Sequence, residues 1–266
     1  MSDAIRKNVE NFLKQKDIHV LGAASAEVLD KTAPIGFRPS EMLPGAKTVL
    51  IFGKPLPLAV FLTPKSYKNL FYVNTFSNYY GITDEAASGA SMIMENAGFL
   101  SLPVPSYNPI RFYQGEPRGV LSLKHCAVEA GIGRMDKNTL LIHPEYGNIL
   151  RFGGLITTME WPCSGPREHK NLCPSKCHIC VDACPKGAIK GDGTIDKIAC
   201  MTNCISHTLL PPAKIMGRMK KLLTKSPKMT NLMELFTFNF FENYGIECMA
   251  CLKACPRFPG HKFKTS

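Results

Sequence analysis

Cys173-Pro-Ser-Lys-Cys177-His-Ile-Cys180-Val-Asp-Ala-Cys184-Pro185 and, towards the end of the chain, Cys248-Met-Ala-Cys251-Leu-Lys-Ala-Cys255-Pro256 hold seven of the eleven cysteines. Short fixed gaps between thiols, closed by Cys-Pro, place three thiolates around one iron–sulfur cubane and send the fourth to another. Two such runs wire one crossed pair. The first cluster takes Cys173, Cys177, Cys180 and Cys255; the second takes Cys184, Cys248, Cys251 and one more thiol. That thiol is assigned to Cys200, with Cys204 as its rival. The first gap holds three residues, Pro174, Ser175 and Lys176, where the usual run holds two, so Cys173 is the least regular ligand.

Structural zinc needs only four ligands and has no use for two interleaved runs. A disulfide framework is disfavoured because no secretory segment precedes the runs. The spare thiols, Cys126, Cys163 and whichever of Cys200 and Cys204 is not a ligand, read as small apolar residues. No stretch of 18 uncharged apolar residues exists to span a membrane, and Ser2 onward reads as an amphipathic helix. The expected location is the cytoplasm, where such clusters meet reductant.

The formal charge is +11. Residues 1–160 carry 16 basic and 14 acidic side chains, and 161–266 carry 16 and 7. Two clusters would remove roughly 4 charges from that sum, because coordinating thiols are deprotonated. Between Pro211 and Lys228, Lys214, Arg218, Lys221 and Lys225 recur at helical spacing, predicting a basic helix near 213–225. Such a face suits an acidic electron donor, RNA phosphates, a membrane surface or plain solvent.

The first 160 residues read as a mixed α/β module. Strands are expected within Gln15–Ala24 and at Thr48–Phe52, and a helix at Asp84–Ala97. Leu140–His143 and Asn148–Thr157 read as a hairpin, and Trp161-Pro-Cys163-Ser-Gly-Pro as a linker.

Leu123-Lys-His-Cys-Ala-Val-Glu-Ala-Gly-Ile-Gly-Arg-Met-Asp-Lys-Asn-Thr-Leu-Leu-Ile-His143-Pro-Glu-Tyr-Gly147 joins a helix, a glycine turn and a strand. With Gly36-Phe-Arg-Pro-Ser-Glu-Met-Leu-Pro-Gly-Ala-Lys-Thr-Val-Leu-Ile-Phe-Gly53 and the cysteine runs, it resembles the epoxyqueuosine reductase and reductive dehalogenase superfamily. Its members carry His-x-Ala-x-x-Ala-Gly-Leu-Gly-Trp-x-Gly-Lys-Asn-x-Leu-Leu-Ile ahead of a two-cluster ferredoxin domain. The resemblance is densest over 36–53, 123–157 and 173–256.

The resemblance implies an α+β protein: a nitroreductase-like mixed α/β module over 1–160, then a bacterial-ferredoxin-like domain with two [4Fe–4S] clusters over 161–266. It implies a base-off corrinoid (cobalamin), with His125, Gly131, Gly133, Arg134, Lys137 and Asn138 as cofactor-binding candidates. Glycines would let backbone approach a flat macrocycle closely; a plain helix cap is the alternative. Flavin is the alternative cofactor. Arg134 and Asp136 stand where the superfamily has Trp and Gly. Val104-Pro-Ser-Tyr-Asn-Pro109 stands where tRNA-acting members carry a catalytic Asp in Asp-Ser-Ala-Pro. Reductive bond cleavage needs an acid near the leaving group, and Tyr107 is the first candidate, ahead of Tyr79, Tyr80, Arg111, Tyr113 and His125.

The leading expectation is an oxygen-sensitive, corrinoid-dependent reductase. It passes electrons from a ferredoxin- or flavodoxin-type donor through both clusters to reduce an unidentified small molecule. The alternatives are an electron-transfer protein that reduces the corrinoid of a partner, and an epoxyqueuosine reductase acting on tRNA.

Overall fold

The computed structural model describes residues 2–64, 67, 69–107, 109–169, 172–204, 227–228 and 248–263. The expected basic helix near 213–225 lies outside the described residues. Helix α1 (Ser2–Gln15) buries Ile5, Val9 and Leu13, one per turn along a single face. It leads into β1 (Val20–Ser25), α2 (Ala26–Thr32), α3 (Pro39–Met42) and β2 (Thr48–Pro55). After α4 (Ala59–Leu62) and a π-helical turn at Asn69–Val73 comes α5 (Asn74–Glu95), then β3 (Ser101–Val104) and a hairpin of β4 (Ile110–Tyr113) and β5 (Glu116–Gly119). Helix α6 (Leu123–Glu129), β6 (Arg134–Met135), β7 (Leu141–Ile142) and β8 (Leu150–Thr157) follow. The cysteine-rich part carries α7 (Ile179–Asp182), α8 (Lys197–Cys204) and α9 (Ala250–Ala254).

Strands β1, β2, β8 and β3 form one antiparallel sheet in that order. Strand β2 is central because Thr48–Phe52 is β-branched and apolar on both faces, and its residues split between two cores. Leu50 and Phe52 pack with α1 and α5; Val49 and Ile51 pack with α6. Small residues Ala86, Ala87 and Ala90 let α5 lie close against the sheet. The result is a sheet with helices on both faces, the mixed α/β architecture expected.

Three local expectations change. Helix α5 begins at Asn74 rather than Asp84, because Phe76 and Thr83 extend its buried face by nearly three turns. Strand β2 runs on through Gly53 to Pro55, paired there with β8. The hairpin of 140–143 with 148–157 does not form: β7 pairs with β6, β8 pairs with β2 and β3, and only a His143–Gly147 bridge joins the two segments. The apolar character of β8 is satisfied by two long neighbours in the central sheet, which a two-residue strand cannot match.

Residues 160–169, which include the expected linker, have no regular structure. The parts on either side of it nevertheless share an apolar core: Leu56, Phe61, Tyr72 and Phe76 pack with Met249, Leu252 and Phe258. Asn148 Nδ2 donates to Leu252 O at 2.9 Å across the same seam.

Candidate functional site

The thiols fall into two groups. Cys173, Cys177, Cys180 and Cys255 are mutual electrostatic neighbours, and Cys255 packs with Cys173 against Ile142 and Leu172. Cys200, Cys204, Cys248 and Cys251 form the other, with Cys184 and Cys180 also acting on Cys251. Cys255 of the second run thus lies with thiols of the first, and Cys184 and Cys180 of the first run lie within reach of Cys251 of the second. Burial raises the Cys180 and Cys255 thiols and pushes Cys251 up to about 12. Bound iron would reverse this, since a coordinating thiol loses its proton. Among the described residues no three His, Cys, Asp or Glu side chains converge as one bound ion would need.

The second group has a thiol to spare. Cys200 and Cys204 lie one turn apart on α8, sulfurs 3.7 Å from each other. Hydrogen bonding to Cys200 and Cys248 raises Cys204, and the same bond from Cys204 lowers Cys200. Cys126 is buried against α6's core, its thiol raised to about 12 by burial, and Cys163 is exposed.

The glycine-turn segment mostly serves the protein itself. Gly131 has φ +71°, and a Cβ there would meet Gly165 O and Arg167. At Gly133 a Cβ would strike the Ile142 backbone. Close protein packing therefore requires glycine at both positions. Arg134 is paired to Asp136 at 2.7 Å. Lys137 is buried and donates to Pro174 O and Ser175 O at 3.1 and 3.0 Å. Lys137 thus supports the loop between Cys173 and Cys177, where Asp136, the partner of Arg134, hydrogen-bonds Cys173. His125 contacts Ser122 Oγ and keeps an exposed edge; loss of water, then Lys124, Arg118 and Lys197, lowers its proton affinity.

Tyr107 stacks on Tyr80 at 5.1 Å and meets Phe76 edge-on at 5.5 Å. Burial, then Tyr80, raises its phenol well above the usual range. A phenol this reluctant to ionise is a poor acid at neutral pH. Sequence reasoning missed the carboxyl that touches its loop: Asp84 of α5 accepts from Ser106 N at 2.8 Å, and burial raises its pKa. The only sequence signal was an acidic residue within a helix, indistinguishable from a solvated one.

Polar groups gather where the sheet meets the second thiol group. Lys124 donates to Thr139 O at 2.8 Å, and burial lowers its pKa. Arg151 donates to Tyr72 OH at 3.1 Å and lies 4.7 Å over Phe76. Asn138 Nδ2, Asn148 Oδ1 and Arg151 Nε are buried without partners. Three orphaned buried polar atoms fit a polar group that the protein alone does not supply.

No family model matches the chain. Epoxyqueuosine reductase of Listeria monocytogenes is 42% identical over 84 residues, covering 32% of this chain and 21% of that protein. That of Bacillus subtilis is 29% identical over 168 residues, covering 62% of this chain and 41% of that protein. The crystal structure of epoxyqueuosine reductase with a tRNA-Tyr epoxyqueuosine-modified tRNA stem loop aligns over 99% of this chain and 68% of that one, with TM-score 0.64 and 17% identity. The catabolic reductive dehalogenase NpRdhA in complex with 3-bromo-4-hydroxybenzoic acid aligns over 84% of this chain and 34% of that one, with TM-score 0.53 and 12% identity.

In its matched segments this chain is similar to epoxyqueuosine reductases, and its fold is that of epoxyqueuosine reductase and reductive dehalogenase structures. It spans between about a fifth and two fifths of the length of the curated superfamily relatives it matches. No helix among its described residues is long and apolar enough to cross a membrane. Another superfamily structure carries the description that it suggests a mechanism for B12-dependent dehalogenation.

Proposed function

We propose that this chain is an iron–sulfur reductase of the epoxyqueuosine reductase type, holding two [4Fe–4S] clusters in a ferredoxin-like domain over 161–266 and a corrinoid beside the second cluster. The nearness of thiols from the two runs supports this reading: Cys255 lies with Cys177 and Cys180, and Cys184 acts on Cys251. Asn138, Asn148 and Arg151 would meet the corrinoid with their unpartnered atoms, and the Phe76–Tyr80–Tyr107 wall would keep water out. A bound corrinoid supplies a strongly reducing cobalt centre. Asp84, whose carboxyl pKa is raised by burial, would hold a proton for the leaving oxygen in place of Tyr107. Corrinoid is favoured over flavin because a B12-dependent mechanism is named for a superfamily structure.

Epoxyqueuosine in tRNA is the first substrate to test, ahead of a free small molecule, since the matched relatives carry that activity in their names and one neighbour holds a tRNA stem loop. The excess of 32 basic over 21 acidic residues suits phosphate contacts. Electron transfer to a partner's corrinoid is the second reading, favoured by the absence of a carboxyl within Val104–Pro109.

Anaerobic reconstitution, iron and sulfide counting, and titration with cob(II)alamin followed by EPR test the cofactors. About eight irons per chain and a base-off signal support them; loss of the epoxide from an epoxyqueuosine tRNA stem loop would then establish the substrate. Clusters without cobalamin binding would leave the electron-carrier reading.

A further inference from the structure

A cavity of about 310 Å³ opens where the free edge of β1 meets the Gly131 turn and the 161–169 segment. It is separate from the thiol groups, and the reductase reading does not use it. His143, Ser164, Arg167 and His169 line it together with Trp161 and Glu10 of α1.

The hydrogen bonding settles which chemistry this wall offers. His143 Nδ1 accepts from Glu145 N at 3.1 Å and from Tyr146 N at 3.2 Å. Its neutral ring must therefore carry the proton on Nε2, leaving a donor and no lone pair for a metal. His169 lies near enough to lower the proton affinity of His143, after the effect of burial, and its own Nε2 is buried without a partner. The Arg167 side chain lies across Gly131, where only a glycine leaves room for it. A guanidinium, a hydroxyl and imidazole N–H groups outnumber the one carboxylate, Glu10, among the lining side chains. Trp161 and Pro162 add a flat apolar surface beside them.

We propose that this cavity binds a phosphate-class oxyanion carried on a planar ring, a ligand of the mononucleotide type. The phosphate oxygens take the Arg167, Ser164 and imidazole donors, His169 Nε2 gains its missing partner, and the ring rests on Trp161.

Trp161 is the chain's one tryptophan, so its fluorescence reports on this cavity. The reconstituted full chain is titrated with adenosine monophosphate, inorganic phosphate and Zn²⁺, following fluorescence and heat. The expected result is saturable binding of the monophosphate, tighter than inorganic phosphate, and about tenfold weaker in both Arg167→Gln and His169→Gln at unchanged iron content. Absence of binding by either phosphate, or binding unaffected by both substitutions, overturns the proposal. Zn²⁺ binding that His169→Gln abolishes overturns it too, by making the cavity a cation site. Phosphate binding as tightly as the monophosphate would remove the planar ring from it.

Discussion

The Cys200 and Cys204 sulfurs lie 3.7 Å apart on α8, and Cys248 sits against the same pair. One helix turn thus offers two thiols where the proposed second cluster would need one. Cys204 is the buried member and Cys200 the half-buried one. Replacing the true ligand with Ser should lower reconstituted iron from about eight towards four per chain, while replacing the other leaves it near eight. Iron and sulfide counts on Cys200→Ser, Cys204→Ser and the double variant read this directly.

Lys137 spans from the β6–β7 turn to two carbonyls of the Cys173–Cys177 loop. Lys137→Met would strand both carbonyls while keeping most of the buried stem. The expected cost is about 1.5–3 kcal/mol. Urea unfolding of the reconstituted protein measures it, and the EPR signal of the first cluster should broaden while the second is unchanged.

Asp84→Asn keeps an oxygen to accept from Ser106 N but removes the acid. Stability should change little. If Asp84 donates the proton, turnover of the epoxide substrate falls by about a hundredfold or more. In the wild type the rate should decline as pH rises through the elevated carboxyl pKa. Unchanged turnover in Asp84→Asn would exclude it as the donor.

Burial lowers the pKa of His143, and protonating its Nδ1 would break two backbone hydrogen bonds. The unfolded chain, with an ordinary imidazole pKa of about 6.5, then binds more protons than the folded one over the window below that value. This contribution is complete above about pH 6.5 and is lost as pH falls towards the lowered native pKa. The Tm of wild type should drop more between about pH 7.5 and 5.5 than that of His143→Asn, whose amide oxygen accepts the same bonds without titrating.

The sequence by itself determined the central strands and the resemblance to epoxyqueuosine reductases, because each is written in local spacing. The apolar run Thr48–Phe52 fits a two-sided interior strand. Tertiary structure decided the rest. Strand β8 left β7 for β2 because a strand takes whichever neighbour buries and bonds most of it, a comparison no local window contains. Arg134 and Lys137 read as cofactor contacts from their place in the motif, yet they turn to Asp136 and the Cys173 loop. Asp84 reached Ser106 and His143 met His169 only through packing of distant segments. A side chain's spacing is set along the backbone, whereas its partner is set by which segments share a core, and that is a property of the whole folded chain.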